Sequence, residues 1–116
     1  MKEGSLQKVL LVAKALSDRK GKDVVILDVR KQSSFTDYFV LVSGRSIRQV
    51  QALADHVQDS LRSHKIKPLG VEGIREGGWV LMDYGDVIVH VFYEPTRQFY
   101  DLEGLWSEAQ KVALDL

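Results

Sequence analysis

Residues 78–93, GWVLMDYGDVIVHVFY, constrain the fold more than any other stretch of the chain. Two runs dominated by β-branched and aliphatic residues flank a short polar interval containing a glycine, which is the signature of a β-hairpin. With Tyr84-Gly85 as the central turn pair, Gly85 supplies the positive φ that a type II or type I′ turn requires. That turn sets Asp83 opposite Asp86, Leu81 opposite Ile88 and Trp79 opposite His90. The period of two then sorts the side chains: Trp79, Leu81, Ile88, His90 and Phe92 share one face, and Val80, Met82, Val87, Val89 and Val91 the other. Both faces are apolar, so at least one meets helices and the other meets something too.

The remaining chain supplies that cover. Leu6, Val9, Leu10, Ala13 and Leu16 recur at helical spacing after Ser5, a suitable N-cap, which predicts a helix over residues 5–19 that stops near Gly21. Residues 24–29 form an unbroken aliphatic run, the pattern of a strand buried on both faces. A polar loop over residues 30–37 leads to a second strand at 38–43. Gly44-Arg45-Ser46 then turns the chain into a second helix, where Ser46 and Gln49 have capping-box spacing. Val50, Leu53, Ala54, Val57 and Leu61 make its buried stripe, and the helix ends near His64-Lys65. A third strand lies within residues 66–72, ahead of a charged, glycine-rich loop at 73–78. Pro95-Thr96 opens a last helix, Gly104 interrupts it, and residues 106–116 form an amphipathic tail. The predicted order is α-β-β-α-β-β-β-α: one α+β domain over residues 1–116, built on a mixed five-stranded sheet packed with helices.

Charge and composition exclude several function classes. The 16 Lys and Arg balance 16 Asp and Glu, so no net field draws the chain to nucleic acid or anionic lipid. Cysteine is absent, which removes disulfides, thiol catalysis and thiolate zinc sites and suits a reducing cytosol. No apolar run approaches the roughly 20 residues of a membrane-spanning helix, and the N-terminus lacks a secretory pattern. A soluble, cytoplasmic protein without membrane partners is expected.

Gly44-Arg45-Ser46 at a helix start is the strongest argument for enzymatic chemistry, because backbone N–H groups there can hold phosphate, assisted by Arg45 and Arg48. The layout is similar to that of nucleotidyltransferases. Those enzymes also need two carboxylates on one strand face to clamp magnesium, and no Asp-x-Asp or Asp-x-Glu falls on a strand. A plain helix cap is the competing reading of the turn. His90 and Glu94 are four apart, yet no second histidine is near enough in sequence to complete a metal site. A hydrogen-bonded core histidine accounts for His90 better. No cofactor or metal is expected.

Trp79 allows two readings. It can be core, or it can be a recognition anchor at the sheet rim, with Asp83, Tyr84 and Asp86 at the other end of the same hairpin. Aromatic anchors beside charges are enriched at protein interfaces. Which hairpin face is free stays open, so Val80 and Met82 remain candidates beside Trp79 and Leu81.

Taken in order, the motifs TDYFV at 36–40, SGRS at 43–46, Glu72-Gly73, WVLMDYGDVIVHVF at 79–92 and RQFYDLEGLW at 97–106 resemble the Iojap family, known in bacteria as the RsfS ribosomal silencing factors. The likeness runs from the first helix to about Trp106. It implies a fold related to nucleotidyltransferases but without their catalytic carboxylates, and no enzymatic activity. It further implies binding to the large ribosomal subunit through the universal ribosomal protein number fourteen, blocking the small subunit sterically and repressing translation. Trp79, Leu81, Asp83, Tyr84 and Asp86, with Val80 or Met82, are then the expected contacts. Apolar area on the hairpin, with Phe99, Tyr100, Leu105 and Trp106, also suits a homodimer. The alternative is a nucleotide-binding or nucleotidyl-transferring enzyme acting at Gly44, Arg45 and Ser46.

Overall fold

The computed structural model describes residues 2–113. Its centre is a six-stranded mixed sheet in the order β3-β4-β5-β2-β1-β6, formed by β1 (Lys22–Asp28), β2 (Tyr38–Gly44), β3 (Gly70–Glu72), β4 (Trp79–Asp83), β5 (Val87–Tyr93) and β6 (Gln110–Lys111). β2 and β5 run parallel, and every other neighbouring pair is antiparallel. The sixth strand corrects the five-stranded expectation. Gln110 and Lys111 pair with Asp28 and Leu27, and the Val112 N–H donates to the Ile26 carbonyl at 2.9 Å. Part of the expected C-terminal tail is thus a sheet edge, while residues 114–116 lie outside the described residues.

Helices α1 (Lys2–Asp18) and α2 (Ile47–Arg62) pack on one face of the sheet. Val9, Val12, Ala13 and Leu16 of α1 and Val50, Leu53, Ala54, Val57 and Leu61 of α2 meet Val80, Met82, Val89 and Val91 there. Leu6 and Leu10, expected on the buried stripe of α1, are exposed on its flank. Both long helices end in a Schellman motif, with Lys20 and Lys65 in the left-handed position. The Gly21 N–H donates to Leu16 O and the Ile66 N–H to Leu61 O.

Ser5 does not cap α1, because the helix begins at Lys2 and carries Ser5 inside it. The buried hydroxyl instead lies 2.8 Å from a carboxylate oxygen of both Asp37 and Asp86. The first helix is therefore tied to the β2 entry and to the hairpin turn.

The second face of the sheet is covered only in part. Residues 94–109, which include α3 (Glu94–Tyr100) and α4 (Leu102–Leu105), lay Leu102, Trp106 and Ala109 against Leu27, Phe39, Leu41, Ile88 and Phe92. The break between these helices is at Asp101, not Gly104. Asp101 takes φ 46°, ends α3, and its carboxylate accepts the Gly104 N–H as the cap of α4. Gly104 stands where a Cβ would overlap that carboxylate.

Buried Arg97 fastens this cover to the sheet. Its guanidinium donates to Glu103 (3.0 and 3.2 Å), to the Asp23 carbonyl (2.8 Å) and to Ser43 Oγ (2.9 Å). β3 and β4, at the far side of the sheet, receive little of this cover, with Tyr100 reaching only the Trp79 ring.

Candidate docking face

The hairpin turns one residue later than the sequence predicts, which moves each β4 residue's partner on β5 by two. Tyr84 N–H donates to Val87 O at 2.9 Å, so Gly85-Asp86 is the central pair, with positive φ on Gly85 (87°) and not on Asp86. Glycine first is the type II′ requirement. The register becomes Trp79 opposite Phe92, Leu81 opposite His90 and Asp83 opposite Ile88. A shift by an even number leaves every side chain on its predicted face.

Those faces now separate the candidates. Val80 and Met82 are fully buried beneath the helices, and Tyr84 nearly so, its phenol among the same apolar neighbours. None of the three presents a surface. Trp79, Leu81 and Asp83 stand at alternate positions of β4 on the uncovered face, each half-buried. Glu72 of β3 lies directly across from Leu81 and shares that face, exposed. Sequence motifs included Glu72 without a role, because its place beside Leu81 comes from strand pairing.

The indole is held firmly. Its Nε1–H donates to His90 Nδ1 at 3.1 Å, and its ring stands 4.8 Å from Phe92 and 5.1 Å from Tyr100. The glycines that lead into β4 are held in place: Gly77 N–H donates to Gly73 O, a Cβ at Gly77 would overlap Ile47, and Gly78 O accepts the Tyr93 N–H. Phe99 and Leu105, 81 % and 79 % exposed, belong to the same covering segment as Tyr100.

The two hairpin aspartates do not act as a pair. Asp83 Oδ1 accepts the Gly85 N–H at 2.8 Å, and among the described residues Asp83 has no cationic partner. Asp86 is turned to the helix layer, where Lys8 Nζ donates to it at 2.8 Å. Burial raises its pKa, but the Lys8 and Ser5 hydrogen bonds prevail and hold it below the ordinary carboxylate range. On the open face Asp83 and Glu72 are carboxylates without an ion pair among the described residues.

This arrangement has close relatives. The family model "Ribosomal silencing factor during starvation", RsfS, matches residues 2–116. The chain belongs to the RsfS family. Over 115 residues it is 39% identical to the Bacillus subtilis ribosomal silencing factor RsfS, covering 99% of this chain and 96% of that one. A crystal structure of a Chromobacterium violaceum protein superposes with a TM-score of 0.86 at 40% identity, covering 96% and 92% of the two chains. At 27% identity over 100 residues, 84% of this chain and 44% of its own length, the mouse protein named "Mitochondrial assembly of ribosomal large subunit protein 1" is also similar. The family's names describe a regulatory factor rather than an enzyme.

In this RsfS-family chain the Gly44-Arg45-Ser46 turn is satisfied internally. Ser46 Oγ accepts the Gln49 N–H at 3.0 Å, and Gln49 Oε1 accepts the Arg45 N–H at 2.6 Å. A Cβ at Gly44 would press on Val50 at 2.8 Å, so close packing explains that glycine. Among the described residues no three His, Cys, Asp or Glu side chains gather as a metal site, and no helix is long and apolar enough to cross a membrane. His90, 4 % exposed, lies between Trp79 and Phe39, and among the described residues its Nε2 has no hydrogen-bond partner.

Proposed function

We propose that this chain docks on the large ribosomal subunit in the cytoplasm through the face bearing Trp79, Leu81 and Asp83. There it contacts the universal ribosomal protein number fourteen and keeps the small subunit from joining by occupying its place, so translation is repressed without any turnover. The observation that carries this is a fixed, half-exposed indole between unpaired carboxylates, on the uncovered part of a sheet, in a ribosomal silencing family. A rigid aromatic anchor supplies contact area, and the carboxylates suit a basic ribosomal protein while repelling RNA phosphate. Exposed Phe99 and Leu105 favour self-association at the same place; a dimer seated there would have to part before docking.

Co-sedimentation with purified large subunits, followed by a subunit-joining assay, tests the proposal. Trp79→Ala should weaken binding by about 2 kcal/mol or more, roughly thirtyfold, and release the block on joining. Unchanged binding by a folded Trp79→Ala protein refutes it. Calorimetric titration with ATP and magnesium should give dilution heat alone.

A further inference from the structure

The open face carries a depression of about 310 Å³ lined by Glu72, Gly73, Trp79 and Leu81. Its walls differ in chemistry. Leu81 and the indole are apolar and half-exposed, whereas Glu72 is exposed and takes part in none of the ion pairs of the described residues. Gly73, at φ 88°, closes the loop against β4 so tightly that a Cβ there would overlap the Trp79 carbonyl. The depression is thus built into the backbone.

We infer that this depression receives one cationic side chain, arginine or lysine, of the protein on which the face docks. Its aliphatic stem would lie along Leu81 and the indole, and its charged head would meet Glu72. An apolar side chain seated there would strip water from Glu72 without replacing it, which is costly. A phosphate or carboxylate would be repelled by Glu72 and by Asp83 two positions from Leu81. Only a cation satisfies both walls. The inference rests on the docking proposal and adds the chemistry of the contact.

The test is large-subunit co-sedimentation across a salt series with Glu72→Gln, Glu72→Lys and Trp79→Ala. Among the described residues the Glu72 side chain holds no ion-pair or hydrogen-bond partner, so thermal unfolding of both Glu72 variants should match the parent. Glu72→Gln should weaken binding on the order of tenfold at low salt, the scale of one hydrogen bond to a charged group, and flatten the salt dependence. Glu72→Lys should weaken it further. If Trp79→Ala loses binding while both Glu72 variants bind like the parent at every salt concentration, the cation receptor is wrong and the docking proposal stands. If Trp79→Ala also binds normally, both fall. Equal binding to protein-free large-subunit RNA would overturn the inference as well, since the carboxylate opposes phosphate.

Discussion

The imidazole of His90 accepts the one hydrogen its neighbour Trp79 can donate, which leaves the His90 proton on Nε2. That nitrogen is buried without a hydrogen-bond partner among the described residues, with the Phe39 ring edge-on at 4.9 Å. Burial pushes the His90 pKa from 6.5 down to about 4, so between these values the unfolded chain binds a proton that the folded chain refuses. Stability from this group is complete above about pH 6.5 and is lost as the pH falls toward 4, by roughly 3 kcal/mol in all. Protonation also turns Nδ1 into a donor, which releases the indole. In His90→Phe this acid slope should vanish, while stability at pH 7.5 drops by about 1 kcal/mol for the unpaired indole N–H. Urea unfolding at pH 4.5, 6 and 7.5 measures both effects; an unchanged slope would assign the proton uptake elsewhere.

Among the elements, α3 and α4 depend most on one side chain. Arg97, itself buried, joins both to β1 and β2 through an ion pair with partly exposed Glu103 and two neutral acceptors. Arg97→Ala strands part of that network and should cost about 3 kcal/mol. Arg97→Lys should recover only a fraction, because an ammonium cannot span Glu103, Asp23 O and Ser43 in one plane. Chemical denaturation reads both, and a lysine variant as stable as the parent would show that charge alone suffices. The contrast with β4 and β5 explains what the sequence disclosed. Period-two alternation assigned each hairpin side chain to its face, and an even shift of register did not disturb it. The α2 stripe and its Ser46 cap were equally plain, since both are local patterns. Gln110 and Lys111 carry no β signature, and they form a strand only because β1 offers an open edge. Asp101 takes a left-handed conformation that few residues other than glycine adopt, so Gly104 looked like the break. Glu72 gained its role from pairing with Leu81, a relation between separate strands that composition does not encode.

At the scale of the whole molecule, the sheet divides its acidic groups between two tasks. With a formal net charge of zero, long-range attraction to a basic partner must come from local carboxylates, and Asp86 on the helix side is already engaged by Lys8. Asp86 accepts from Lys8 and its backbone carbonyl accepts the Asp37 and Tyr38 N–H groups, so it binds α1 and β2 to the hairpin turn. Asp83 uses one oxygen for the turn and has no cationic partner. Two single substitutions should therefore part company. Asp86→Asn should lower stability near neutral pH by about 1 kcal/mol. It should also remove stability that the parent holds above the ordinary carboxylate range and loses as acid reaches the depressed pKa. Its association rate with large subunits should stay near that of the parent. Asp83→Asn keeps an oxygen for the Gly85 N–H, so unfolding should be unchanged, while association slows and loses salt dependence. Stopped-flow binding and thermal unfolding of the two proteins side by side decide the matter. If Asp86→Asn were the slower binder and Asp83→Asn the less stable fold, the helix side rather than the open face would be the surface that meets the ribosome.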